Sequence, residues 1–172
     1  QIRRAYTRVL PQSQRLLFFT PFVSYASVDE ISQGLQAAGY EPDLNSRHAS
    51  VPEGVPPNDL DTLRVVNYVH LGVSGKLELQ FFNDRLYQVE FEPGDAAAYH
   101  GKFRAQWPDL HREQSGRSER VSGALRIASS LDLAVSEVGQ VLQSRPFVLW
   151  QDLRLVRQRD DWEIQFARAV TR

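Results

Sequence analysis

Four histidines, His48, His70, His100 and His111, are the only side chains whose ordinary pKa lies near neutrality. None stands in HExxH or another ligand spacing, no cluster of Asp and Glu accompanies them, and the chain has no cysteine. The spacing therefore offers no metal centre. GxSxG, SxxK, GxxxxGK[ST] and GxGxxG are absent too, so neither a nucleophile elbow nor a phosphate-cradling loop is marked. Glu90 with Glu92, and Asp160 with Asp161, have the chemistry for proton transfer. They read more simply as solvated strand positions and a helix cap. No catalytic residue and no cofactor is expected, although an enzyme is not excluded.

Binding chemistry is better represented. In Trp150-Gln-Asp152-Leu-Arg154, strand alternation puts Trp150, Asp152 and Arg154 on one face. Trp and Arg dominate protein interfaces, and a neighbouring carboxylate can fix a guanidinium. The bland alternative packs Trp150 under a final helix and leaves Asp152 and Arg154 as a surface pair. LELQFFNDRLYQVEFE, residues 77–92, alternates, breaks at Asn83-Asp84 and alternates again, as a β-hairpin does. Its second face carries Glu78, Gln80, Phe82, Leu86, Gln88 and Glu90. The preceding strand adds Tyr68 and His70 if its Leu63–Leu71 set faces the core. Tyr68, His70, Gln80, Phe82, Gln88, Trp150, Asp152 and Arg154 are thus the candidate partner-binding residues.

These residues need elements to position them. Residues 1–15 read as a basic, flexible arm. LLFFTPFVSYA (16–26) reads as an edge strand broken at Pro21 or an extended segment over the core. Ser27 and Glu30 have capping-box spacing, Val28, Ile31 and Leu35 share a stripe, and Gly39 supplies a stop, which predicts a helix over 28–38. Residues 41–59 hold four prolines and no periodicity, and read as a long loop.

A strand over 62–71 leads into the hairpin, where burial selects a register. A three-residue loop, Asn83-Asp84-Arg85, pairs Phe81 with Tyr87, Leu79 with Val89 and Leu77 with Phe91, giving one apolar face. It places the positive φ at Arg85. Asp95 caps a helix over 95–107 whose Tyr99, Phe103 and Trp107 recur every four residues. Residues 109–123 form a connector or a splayed hairpin. A strand over 124–129 is then followed by a helix over 130–143, or continues through Leu133. A strand over 147–158 and a short helix from Asp160 close the chain.

The result is a single α+β domain: an antiparallel meander of about three strands, with one or two further strands, and helices on one face. Its first part, 16–94, is a helix plus the meander; its second, 95–172, mixes helix and strand.

Charge narrows the partners. Twenty basic against 21 acidic residues give a net charge of −1, so nothing in the field selects nucleic acid or acidic membranes. Eighteen of the basic residues are arginine, a bias that a GC-rich genome explains first; arginine also suits paired and interfacial positions better than lysine does. No apolar run approaches the ~20 residues of a membrane span.

SVDEISQGLQAAGYEP, LRVVNYVH and GKLELQFFNDRLYQVEF, covering about residues 27–92, resemble the small SmpA/OmlA-type outer-membrane assembly lipoproteins and the β-lactamase-inhibitor-protein fold. Those share a capped helix entering a three-strand meander. The chain departs from them in its longer 41–59 segment and in lacking a lipidated cysteine, which leader processing would account for. The resemblance implies a non-enzymatic periplasmic or otherwise extracytoplasmic module that binds another protein and meets a membrane only through a trimmed lipid anchor or a partner. Two alternatives remain open. One is a small-ligand-binding domain or modest hydrolase with 41–59 as a lid over His48 or His70. The other is a structural subunit of an oligomer.

Overall fold

The computed structural model describes residues 1–114, 117–132 and 145–170. In chain order they form α1 (Ile2–Ala5), the small hairpin β1 (Leu17–Phe19) and β2 (Phe22–Val23), α2 (Val28–Ala37), β3 (Asp43–His48), β4 (Asp59–His70), β5 (Val73–Phe82), β6 (Leu86–Pro93), α3 (Ala96–Gln106), β7 (His111–Arg112), β8 (Ser118–Ser122), β9 (Leu125–Ser129), β10 (Val148–Asp152) and α4 (Leu153–Val170). The architecture is α+β. Eight strands make one antiparallel sheet in the order β3-β4-β5-β6-β10-β9-β8-β7. β10 lies between β6 and β9 and joins the β3–β6 meander to the β7–β9 meander.

The first helix forms as its sequence dictates. Ser27 Oγ accepts from Glu30 N–H at 3.1 Å, Ile31 and Leu35 are buried, and Gly39 takes φ +88°. The amides of Gly39 and Tyr40 donate back to the carbonyls of Gln36 and Leu35, closing the helix in a Schellman turn. In α3 the Asp95 carboxylate accepts from Ala98 N–H at 3.0 Å, and Tyr99 and Phe103 are fully buried.

The hairpin register holds in the body of the strands, where Leu77 faces Phe91 and Leu79 faces Val89. The turn differs. Phe82 and Arg85 exchange both main-chain bonds, and the positive φ falls on Asn83 (49°) and Asp84 (61°), a two-residue turn of the I′ kind. Phe81 therefore meets Leu86, and Tyr87 is the extra residue of a bulge that restores the apolar register beyond it. A tight turn and a burial-selected register need not be alternatives when one bulge reconciles them. It also turns Leu86 into the core and Tyr87 outward.

β4 has the same device. Val65 faces Leu77 but Tyr68 faces Gly75, so one extra residue sits between them. Leu63 and Val65 point into the core before the bulge, Tyr68 and His70 after it, while Val66 and Val69 are exposed. A strict period of two through 62–71 assigns the second half to the wrong face. Gly75 admits the Phe91 ring: a Cβ there would lie 2.3 Å from the Glu92 carbonyl oxygen and 2.8 Å from that ring.

Other expectations are corrected. Residues 41–59 are not a plain loop, since 43–48 form the edge strand β3. It lacks apolar alternation because all six of its residues are exposed. The 1–15 arm is anchored: Tyr6 is buried against Phe166, and the Tyr6 carbonyl accepts from Asn83 Nδ2 and Arg85 Nη2. The connector 109–123 contains β7 and β8. The strand expected over 147–158 ends at Asp152, whose carboxylate accepts from Arg154 N–H at 3.1 Å and starts α4 at once. Of the helix expected over 130–143, residues 133–143 lie outside the described residues.

α2, α3 and the β1–β2 hairpin cover one face of the sheet, forming the main core. The helices are not all on that face. α4 and Tyr6 cover one end of the other, over Phe82 and Tyr87. No described helix is long and apolar enough to cross a membrane.

Candidate functional site

The face opposite the main core is here called the outer face, and strand register fixes what it displays. One cross-sheet row runs Asn45, Thr62, Gln80, Gln88, Gln151, Arg126, from β3 to β9. The adjacent row runs Asp43, Arg64, Glu78, Glu90, Leu149, Ala128. Beyond it Lys76 faces Glu92. The first row is stitched by side chains: Gln151 donates to Gln88 at 2.6 Å, and Arg126 donates to Gln151 at 3.0 Å and to Glu119 at 2.8 Å. Gln80 accepts from the Tyr87 hydroxyl at 2.7 Å and donates to Glu78 at 2.8 Å.

Ion pairs order the second row. Arg64 Nε contacts Glu78 at 3.0 Å, and Arg145 bridges Glu90 at 2.8 Å and Glu92 at 3.2 Å. Burial alone would push the Arg145 guanidinium down, but the two carboxylates hold it above its ordinary value. A groove of about 340 Å³ runs among Arg64, Lys76, Glu78, Glu90, Glu92 and Arg145, with Val66 at its rim. A second, also about 340 Å³, shares Arg64 and Glu78 and continues past Thr62 and Gln80 to Asn45 and Arg47. Together they form one mixed channel across β3, β4, β5 and β6, in which Val65, Val66 and Leu77 lie among the charges.

The candidate residues divide. Gln80 and Gln88 lie on this face as the alternation implies. Tyr68, His70, Phe82, Trp150 and Asp152 are instead buried within the chain, with Phe82, Trp150 and Asp152 completely so. The β4 bulge turns Tyr68 and His70 inward, α4 closes over Phe82, and β10 is an interior strand. Arg154 is half-buried on α4 and grips Asp152 through Nε at 3.0 Å and Nη2 at 2.7 Å, which raises its pKa. Trp150, Asp152 and Arg154 form a strand-to-helix junction rather than an anchor patch. The Trp150 Nε1 hydrogen finds no acceptor among the described residues.

His70 is walled in by aromatic rings, stacked on Phe19 at 3.9 Å and edge-on to Phe91 and Trp150. Its Nδ1 meets the Tyr99 hydroxyl at 2.7 Å. Burial pushes the imidazole down to about 4, so it is neutral at ordinary pH. Burial likewise raises the Tyr68 phenol to about 12.

The remaining histidines sit elsewhere. His111 is exposed on β7. His48, on β3, contacts Asp61 at 3.1 Å, and Ser46 donates to the same carboxylate oxygen. That contact first, and Asp59 after it, raises the His48 pKa. His100 Nε2 lies 2.5 Å from one oxygen of Asp132, and the Ser118 hydroxyl donates to the other at 2.6 Å. Burial alone would raise the Asp132 carboxyl, but these two bonds hold it below the usual range. In both clusters the carboxylate stands between serine and imidazole. The serine proton is committed to the carboxylate, not offered to a base, which is the wrong order for nucleophile activation. Among the described residues no group of three or more metal-ligating side chains assembles.

The channel's charged residues, Arg64, Lys76, Glu78, Glu90, Glu92 and Arg145, were not among the candidate partner-binding residues. Only the hairpin part of the face is readable locally; Arg145 reaches it from 53 and 55 residues away in sequence. Comparison with protein-family models, curated proteins and solved structures returned no match, so the channel's chemistry rests on its own geometry.

Proposed function

We propose that the chain is a protein-binding domain that takes its partner along the channel of the outer face. The observation that supports this is the asymmetry of cover. Among the described residues, α2, α3 and the β1–β2 hairpin cover the main-core face, whereas on the outer face α4 and Tyr6 close over only the Phe82–Tyr87 end. The rest displays amides and ion pairs held in a fixed pattern. Charges of both signs and paired amides suit a mixed-charge polypeptide better than an apolar small molecule. The partner is not held by the aromatic anchors the sequence suggests, because those lie in the core. A periplasmic or otherwise extracytoplasmic setting belongs to the same proposal and is supported by the resemblance of residues 27–92.

A photo-crosslinking residue at Val66, 70% exposed on the channel rim, tests it inside the native organism. The expected outcome is one dominant adduct. Its yield falls at least about tenfold in Lys76→Glu and in Arg145→Ala, with circular dichroism unchanged. Undiminished adduct in both folded variants would sink the proposal.

A further inference from the structure

β3 is an edge strand of six residues, all exposed, with no proline, lysine or bulge within it. Natural edges are ordinarily blunted by such devices or by charge, and the charges of β3, Asp43 and Arg47, are of opposite sign and so complementary to a second copy of the strand. Its main-chain directions follow from two bonds. Ala49 N–H donates to Asn58 C=O, extending the β3–β4 ladder by one pair, while Asp59 turns its carbonyl to Asn83 N–H on the β5 side. In an antiparallel ladder these directions alternate. Asp43, Asn45 and Arg47 therefore bond to β4, and the N–H and C=O groups of Leu44 and Ser46 point away from the sheet.

We infer that β3 pairs with β3 of a second copy of this chain across a two-fold axis, making one sheet continuous through the dimer. Antiparallel pairing requires outward groups to meet outward groups, which excludes every odd register. Every even register centres the axis on one residue, and Asn45 and Ser46 are the two central residues of the strand. Centring on Ser46 puts Arg47 opposite the second copy's asparagine. Centring on Asn45 puts Leu44 opposite Ser46, each such pair exchanging both main-chain bonds, and Asp43 opposite Arg47 on the outer face.

Charge selects the second register. Asp43 and Arg47 have no ion-pair partner among the described residues, since Arg64, opposite Asp43, is taken by Glu78. The dimer supplies both, twice over by symmetry. In that register Pro42, lacking an N–H, falls opposite His48 and ends the ladder. Exposed Leu44 meets its symmetry mate diagonally on the other face.

Sedimentation velocity across a concentration series decides the matter with the full chain. The expected species grows with concentration to twice the 19.7 kDa chain mass. Asp43→Arg and Arg47→Asp each place like charges opposite and raise the dimer dissociation constant at least about tenfold, and the double variant restores it. Leu44→Pro removes an outward N–H while sparing every bond to β4, and gives monomer. A wild type that stays monomeric up to millimolar concentration overturns the inference. So does a dimer indifferent to all three single substitutions, and a double variant that stays monomeric overturns the register. Circular dichroism separates these outcomes from misfolding.

Discussion

Sealing an imidazole among Phe19, Phe91, Tyr99, Trp107 and Trp150 makes stability depend on pH. The folded pKa of His70 is about 4, below its ordinary 6.5. Above pH 6.5 the ring is neutral in both the folded and the unfolded chain, and it costs the fold nothing. As pH falls through 6.5 the unfolded chain takes up a proton that the folded one refuses until about pH 4. Across that window the domain loses up to about 3 kcal/mol from this residue. Urea midpoints taken from neutral to acid pH should show that slope in the wild type and a flatter one in His70→Gln, whatever the variant's absolute stability. Parallel slopes would remove His70 as the cause. Gly75 is a second single-residue constraint. A methyl group there meets the Glu92 carbonyl at 2.3 Å, so backbone must move and Gly75→Ala should cost at least about 3 kcal/mol by denaturant unfolding.

Among the elements, the N-terminal arm has the least local reason to be ordered, and one buried cation accounts for its order. Arg85 is fully buried, and burial drives its guanidinium down to about 10. It donates to the carbonyls of Phe82, Tyr6 and Arg8, and lies 5.6 Å and 5.9 Å from the Phe82 and Tyr25 ring centres. Replacing it with methionine keeps much of the volume but removes the guanidinium's bonds to three carbonyls and leaves that of Arg8 without its donor, while Tyr6 C=O keeps Asn83 Nδ2 and Phe82 C=O keeps the residue-85 N–H. The arm should then detach, and trypsin should cut after Arg3, Arg4 and Arg8 at least about tenfold faster, with the sheet intact by circular dichroism. Equal cleavage rates would show that Tyr6 packing alone holds the arm.

A sequence window could not supply this anchor, because Arg85 and Arg8 are 77 residues apart. What was legible has local causes: the Ser27 and Asp95 caps, the Gly39 stop and the Leu77–Phe91 register. What was not legible depends on distant cover. The bulges at Val66–Asn67 and Tyr87 reverse the faces of Tyr68, His70 and Leu86, and β3 shows no pattern because neither of its faces is buried. The channel was legible only through Gln80, Gln88 and the hairpin glutamates, since Arg145 joins it by tertiary folding.

For the molecule as a whole, the sheet should open from its edges inward. β5, β6 and β10 have a strand on both sides, and the main core packs against them, whereas β3 and β7 have one neighbour each. Amides whose release requires global unfolding should therefore lie in the three inner strands, and edge amides should exchange by local fraying. Alternation within β3 makes the expectation sharper. The amides of Asn45 and Arg47 face β4 and should be protected at any protein concentration. Those of Leu44 and Ser46 face outward, with no acceptor among the described residues. If two chains join along β3, the Leu44 and Ser46 amides gain protection as concentration rises, by a larger factor than those of Asn45 and Arg47, which β4 already bonds. Residue-resolved exchange at low and high concentration reads both effects from one sample series. Fast, concentration-independent exchange at Leu44 and Ser46 would leave the edge open and the sheet confined to one chain.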